Sequence, residues 1–527
     1  MSKQTPSDTD HTVINKFSTV SSATLISRIL GYIRDMAIAN FFGATMFADA
    51  FFVAYRIPNL LRRLLGEGSL STAFIPVYTQ YLTTKSREES LKLIRVTLGA
   101  FGCLFVIITV SGIIFAPFIV KLIAPGFSHN PEQFRVTVYL TRIMFPFLMA
   151  IGLGAITLGI LNSWKMFFLP ALAPAMLSIC EIFFILFVCP SLDLPISGLA
   201  VGVVIGGFCQ LLFQFVPIIK RLKNISPIFS LNHTGLKKII RLMIPAILGL
   251  SIMQINSFVD TICATLLGEG SVTHLYYGNR LVQLPLALFG TAVATVVLPI
   301  MSENAAKHQM KELKETLSFS LRMISFLIIP ATAGLIMFGG PILRLLFERG
   351  QFHAYDTSST AAILTFYAIG LFFYSGVKVT ANAFYSMQDT KTPVIIASFA
   401  MTINIILNIM VVSIYVLKRK FGAGGLALAT SISSAFNYIL LILIFIKRNG
   451  PLKGKNLWTS VSKHVVSSLV MIAAIYYIHR STANWHDLPQ VITVISIASL
   501  TYILASYLLK TPELTQLKNI FLHNETE

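Results

Sequence analysis

The chain has 527 residues, of which 55% are hydrophobic and only 12% charged, with a formal net charge of +19 and a mean hydropathy of +0.75. A soluble domain carries roughly 25% charged residues, so this composition excludes a water-covered globule. The apolar residues gather in runs such as Leu104–Phe115, Ile182–Cys189 and Tyr438–Ile446. Each lies in a stretch of about 20 weakly polar residues, the length at which a helix crosses a hydrocarbon core. Strand-like alternation is not sustained, which argues against a β-barrel.

Along the chain, residues 1–16 are polar, with Asp8, Asp10 and His11 and no short apolar core or cleavage site of a signal peptide. They are expected to be a cytoplasmic tail, and the stretch Phe17–Gly43 a retained first span. Hydropathy predicts about fourteen spans with both termini cytoplasmic. Most basic residues fall in short connections: Lys85, Arg87 and Lys92; Lys165; Lys220, Arg221, Lys223, Lys237 and Lys238; Lys307, Lys311 and Lys314; Lys391; Lys447, Arg448, Lys453 and Lys455. The alternating connections Ala124–Gln133, Pro190–Pro195 and Gly268–Val272 hold no Lys or Arg. That alternation is the positive-inside pattern, and it disposes of a nucleic-acid reading of the net charge. Lys418, Arg419 and Lys420 break it. The five cysteines, Cys103, Cys180, Cys189, Cys209 and Cys263, show no CxxC or Cys/His spacing and read as buried thiols.

The chain repeats itself at an offset of about 224 residues. FFGATMFADAFFVAYRIPNLL around Gly43 parallels LLGEGSVTHLYYGNRLVQLPL around Gly268. APFIVKLIAPGF from Ala116 parallels GPILRLLFERGQF from Gly340, and LNSWKMFFLPALAPAML from Leu161 parallels FYSMQDTKTPVIIASFAM from Phe384. An even number of spans per repeat makes the repeat parallel, as in transporters with a site between lobes. The expected fold is therefore an all-α polytopic membrane protein with two six-helix lobes, 17–222 and 236–449. The two are joined by a cytoplasmic linker at 223–235. Two added spans (450–510) and a cytoplasmic tail (511–527) complete it.

Ionic residues interrupt the apolar stretches. The first span holds Arg28, Arg34 and Asp35, with Gly31 expected to loosen the helix between them. The second holds Asp49, Arg56 and Arg63 at a spacing of seven, with Arg62 beside the last and Pro58 expected to kink the helix before Asn59. The later half offers Arg280, aligned with Arg56 by the repeat, and Asp260, Lys378 and Asn382. A charge at bilayer depth costs about 2.5–3.5 kcal/mol on the insertion scale, so unpaired arginines belong against a hydrated cavity. Snorkelling to the headgroups is the competing reading for Arg56, Arg62 and Arg63, and a structural ion pair with Asp35 or Asp49 is another. Arginine in excess over acids calls for an anion, and the guanidinium fork suits phosphate oxygens.

The segment SSATLISRILGYIRDMAIANFFG…ADAFFVAYRIPNLLRRLLGEGSLSTAFIPVY resembles the N-terminal signature of the MurJ/MviN family of lipid II flippases. The likeness continues through APGF at Ala124–Phe127, LYYGNRL at Leu275–Leu281 and YSMQDTKTPV at Tyr385–Val394. It covers nearly the whole chain. The resemblance implies a fourteen-helix fold of the multidrug/oligosaccharidyl-lipid/polysaccharide exporter superfamily, with a cationic cavity that opens alternately to either side. The implied activity is translocation of undecaprenyl-diphosphate-linked muropeptide across the bacterial inner membrane for peptidoglycan synthesis and cell shape, without covalent chemistry. Another exporter of the superfamily, for polysaccharide lipids or drugs, is the alternative, and a drug/cation antiporter would call for acidic cavity residues instead. By motif position, Arg28, Arg34, Arg62 and Arg280 match substrate-gripping arginines. Asp35, Asp49, Asn59, Glu67 and Lys378 are the gating or cavity polar positions. Gln283 stands where some relatives carry an acid. Some relatives bind sodium in the second lobe, and Asp260, Asn382 and Asn404 are the residues here that could hold it; sodium or the membrane potential is the expected drive. The final two helices are expected to line a groove for the polyprenyl tail. The expected partners are lipid II and membrane lipids, with the chain acting as a monomer near the cell-wall synthesis machinery.

Overall fold

The computed structural model describes residues 6–222, 225–452 and 454–516. Among the described residues the chain is helical with short connections. In the first half run α1 (Pro6–Phe42), α2 (Met46–Leu61), a π-helical stretch (Arg62–Leu70), α3 (Ser71–Thr84), α4 (Arg87–Ile114), α5 (Ala116–Ile123) and α6 (Pro131–Ser163). Then come α7 (Phe168–Phe183), α8 (Pro195–Arg221) and α9 (Thr234–Thr265). In the second half run α10 (Ser271–Pro285), a π-helical stretch (Leu286–Thr291), α11 (Ala292–Ala306), α12 (Met310–Phe347), α13 (Ala354–Ser386), α14 (Lys391–Ser413) and α15 (Tyr415–Asn449). The last two are α16 (Gly454–Ser481) and α17 (Asp487–Leu508).

The sequence repeat is legible in the backbone. α2, its π-helical stretch and α3 recur as α10, a second π-helical stretch and α11, about 224 residues later. The connections after α6 and α13 each place a non-glycine residue, Lys165 and Gln388, at positive φ. A π-helical turn is rare and tends to sit at functional sites, so its recurrence at equivalent places marks one design used twice.

Eleven helical segments among the described residues are long and apolar enough to cross a membrane. The fourteen expected from hydropathy require three more. The remaining long helical runs are α1, α2–α3 and α9, which are also the runs that carry Arg28, Arg34, Asp35, Asp49, Arg56, Arg62, Arg63 and Asp260. Large side chains such as Ile107, Phe118, Phe187, Leu212, Leu500 and Leu504 point outward, the apolar exterior that a chain solvated by lipid presents.

The chain divides into two compact units, 1–270 and 271–527. The first is built around Phe74, Tyr78, Leu93, Phe105, Leu148, Ile160, Ile218 and Leu236, drawn from α3, α4, α6, α8 and α9. Here α9 packs on α3 and the π-helical stretch after α2, so packing divides the chain one helix later than the repeat boundary at 223–235. In the APGF motif, a Cβ on Gly126 would stand 1.9 Å from the Thr265 carbonyl oxygen; only glycine lets this loop close on the end of α9. In the second unit, Phe326, Phe338, Met471, Ile475, Val494 and Tyr502 join α12, α16 and α17. The YSMQDTKTPV motif is likewise a joint: Asp389 accepts the Thr392 N–H at 3.0 Å and its hydroxyl at 2.6 Å, and pairs with Arg448 at 2.8 Å. Those bonds, Thr392's first, hold the Asp389 carboxyl below its ordinary range.

One local expectation is corrected and two are located in the backbone. α1 runs unbroken through Gly31, because one glycine costs a helix only about 1 kcal/mol and leaves its hydrogen bonds intact. α2 holds Pro58 within its helical run, and the departure from α geometry begins one turn later at Arg62. Lys418–Lys420 occupy the first turns of α15, which is broken at Gly422 (φ 49°). They therefore lie on a short helix of their own ahead of the main rod, which is why they escape the loop pattern.

Candidate functional site

In the first unit charged residues of α1 and α7 meet beside Tyr55 of α2. The side chain of Asp35 is fully buried, and its partner is its chain neighbour. Arg34 Nε and Nη2 both donate to Asp35 Oδ1, at 3.0 and 2.7 Å. Arg28, which shares a helical face with Asp35 by spacing, is exposed. A second carboxylate completes the group: Glu181 Oε2 on α7 lies 3.5 Å from Arg34 Nε, and Glu181 is only 2% exposed. The charges of Arg34, Arg62, Arg63 and Glu181 all reach the Tyr55 hydroxyl on α2. Arg34 and the arginine pair that opens the π-helical stretch therefore share one electrostatic neighbourhood. Low local dielectric makes such neighbours act strongly on one another.

The remaining predicted residues of this unit have specific partners. Arg62 Nε donates to Asn59 Oδ1 at 2.8 Å, one turn back, which aims the guanidinium along the helix. Arg63 is exposed. Arg56 donates to Ser257 Oγ on α9, a contact made inside the unit. Asp49 is fully buried and accepts the Gly270 N–H at 2.7 Å, while Glu269 accepts the Met46 N–H at 2.8 Å. The acid at 49 thus ties α2 to the glycine turn after α9. Asp260 is half-buried on α9. Glu67 lies in the π-helical stretch, and its side chain is outside the described residues.

In the second unit Arg280 is half-buried on α10, and Gln283, one turn on, is exposed and donates to Asn279 at 3.1 Å. Lys378 Nζ on α13 donates to Thr291 Oγ1 at 2.7 Å, and Asn382 Nδ2 donates to the Ala294 carbonyl at 2.6 Å. Both lysine and asparagine therefore fasten α13 to the π-helical stretch and to α11. Asn404 is fully buried; its amide donates to Thr430 Oγ1 at 3.2 Å and its oxygen accepts from Asn408 at 2.9 Å. Asn382 and Asn404 thus serve separate helix contacts. Among the described residues no group of three His, Cys, Asp or Glu side chains is arranged to hold a metal ion.

Sequence reasoning missed two groups. Glu181 is a single acid in the run SICEIFFILFV, and that isolation was a usable signal, since an ionisable residue at membrane depth is functional by default. The second is a clamp on the last described segment. Glu513 is fully buried, accepts from His464 Nε2 at 3.1 Å and stands 3.3 Å from Arg322 Nε. No motif announces it.

Among the described residues, eleven helices long and apolar enough to cross a membrane, buried ion pairs packed against them and a scaffold used twice along one chain define a membrane transporter built from repeats. The family model described as lipid II flippase MurJ matches residues 38–495. A relative from Vibrio cholerae, named "Probable lipid II flippase MurJ", is 37% identical over 88% of this chain and 89% of its own. The chain belongs to the lipid II flippase MurJ family. A solved structure of a lipid II flippase MurJ in an inward closed conformation aligns with a TM-score of 0.77 at 31% identity, over 93% of this chain and 98% of that one. An inward-facing multidrug transporter of the MATE family shares the fold at a TM-score of 0.68 and 15% identity, covering 83% of this chain and 98% of that one.

Proposed function

We propose that this protein moves lipid II, the undecaprenyl-diphosphate-linked muropeptide, from the cytoplasmic to the periplasmic leaflet by alternating access, without making or breaking covalent bonds. The observation that carries this reading is the family match across residues 38–495, joined to arginines on the helices that hold its most ionic segments. Arg28, Arg34, Arg62 and Arg280 are the residues we assign to the diphosphate, because forked N–H donors match its oxygens and a fixed cation offsets its charge. The polyprenyl tail would stay in lipid along α16 and α17, whose outer faces carry Trp458, Tyr477, Leu500 and Leu504. We place it in the inner membrane with cytoplasmic termini, an orientation that the basic loops support. The membrane potential is our proposed drive, since about 2.3 kcal/mol acts on each charge moved across 100 mV.

Depletion of the protein in its host, followed by labelling of surface-exposed lipid II, tests the activity. Export that continues at the undepleted rate overturns it. Arg34→Ala, delivered in the depleted cells and checked for membrane insertion, tests the site; full complementation removes Arg34 from it.

A further inference from the structure

The Arg34 cluster holds two acids on different helices. Asp35 alone accepts from two nitrogens of the guanidinium. Glu181 adds a second carboxylate at 3.5 Å, from a different helix, and its other oxygen, Oε1, is buried with no hydrogen-bond partner among the described residues. Two carboxylates from two helices therefore lie against the arginine assigned to an anion. Buried polar atoms in native proteins almost always have a partner, so an orphaned carboxylate oxygen points to something taken up there. The smallest candidate is a proton.

Among the described residues the ionisable groups of the elements packed on α7 are few. On α1 from residue 20 onward the ionisable groups are Arg28, Tyr32, Arg34 and Asp35; on α2, Tyr55 feels Glu181 together with Arg34, Arg62 and Arg63. Beside Glu181 on its own helix is Cys180, whose neighbour on α8 is Cys209. The other faces packed on α7, residues 143–162 of α6, 195–216 of α8 apart from Cys209, and 184–188, carry no further ionisable side chain but Cys189's neighbourhood at their end. The cations in reach are thus the arginines themselves.

We propose that Glu181 is a proton-binding positioning residue for Arg34, which holds the guanidinium when ionised and releases it to the substrate's diphosphate when protonated. This rests on the assignment of Arg34 to the diphosphate. Ionised Glu181 competes with phosphate oxygens for the Arg34 charge and repels them. Protonated, it does neither, and its new O–H is a donor where Oε1 now has no partner. Binding of the diphosphate therefore takes up a proton at Glu181, and its departure releases one.

The test uses the full chain in nanodiscs, with undecaprenyl diphosphate as the probe, titrated between about pH 5.5 and 8.5. One linked proton weakens binding up to tenfold per pH unit above the titration of Glu181. Glu181→Gln is expected to bind as the wild type does at low pH and to lose this dependence, while Glu181→Asp keeps it. Calorimetry of the wild type in buffers of different ionisation enthalpy measures the proton directly and needs no variant to fold. A Glu181→Gln profile that follows the wild type, or binding with no proton uptake, overturns the proposal. Arg34→Ala separates the two layers. If it binds like the wild type, the site assignment itself falls; if it loses binding while the wild type shows no linked proton, only the role of Glu181 falls.

Discussion

Replacing Glu513 by alanine should loosen the last described segment from the helices beneath it. The carboxylate is fully buried between α12 and α16, 3.3 Å from Arg322 Nε and 3.1 Å from His464 Nε2. The Arg322 side chain is itself only 15% exposed, so Glu513→Ala strands a guanidinium in a largely desolvated place. Breaking a buried pair by removing one partner costs about 3–5 kcal/mol. Replacing both partners by apolar groups of similar size is often neutral, so Glu513→Leu with Arg322→Met should recover most of the loss. The assay is thermal unfolding in detergent, with trypsin cleavage of the C-terminal segment as a local readout. The pH dependence has a fixed sign. Burial pushes the Glu513 carboxyl upward, but hydrogen bonds from His464, its own backbone N–H and Ser460 prevail and hold it below its ordinary value of 4.5. The clamp therefore contributes fully above about pH 4.5 and is lost as pH falls through the lowered value. An unchanged melting temperature for Glu513→Ala, with tryptic cleavage no faster than in the wild type, would refute this account.

Gly126→Ala forces a Cβ to within 1.9 Å of the Thr265 carbonyl oxygen; the backbone must shift at a cost of about 1–3 kcal/mol, read as a lower melting temperature, and an unaltered one would mean the loop is not held there. Asp389→Ala removes the acceptor of two Thr392 bonds at the start of α14 and should cost about 1 kcal/mol, the ordinary worth of a cap; Asp389→Asn should retain more than half. Arg280→Ala should weaken undecaprenyl diphosphate binding more than Arg63→Ala, since Arg280 is half-buried and Arg63 exposed; equal effects would count against the chosen set.

What was legible in the sequence was whatever a helix or a repeat makes periodic. The apolar runs, the offset of about 224 residues and the arginines of α1 and α2 could be read directly. The partners could not. Asp35 bonds to its immediate neighbour Arg34, a pairing that helical-face reasoning sets aside because adjacent side chains point about 100° apart; the long guanidinium arm makes up that angle. Glu181 belongs to Arg34 from far along the chain, and Glu513 to Arg322 and His464. No local pattern encodes such a meeting. Arg56 reads as a membrane anchor by its place near a helix end, yet it reaches Ser257 on α9, because the packing of α9 in the first unit was not visible in the repeat.

The acids around the arginines explain how such charges persist at membrane depth. An empty cationic pocket would have to be hydrated or carry counter-ions, since a desolvated charge costs several kcal/mol. Asp35 and Glu181 supply that counter-charge from within, and Asn59 does the same by hydrogen bonding for Arg62. A site neutralised from within binds an anion by exchange: each phosphate oxygen gained replaces a carboxylate oxygen or amide oxygen given up. Exchange keeps the net gain small, which a transporter requires because its substrate must also leave. The distances order the exchange. Asp35, at 2.7 Å and bonded to two nitrogens, is the ligand to keep; Glu181, at 3.5 Å, is the one to give up. Asp35→Asn should therefore disorder Arg34 and lower affinity at every pH, whereas Glu181→Gln should raise it at high pH. Reversal of those two signs would place the exchange on the wrong carboxylate.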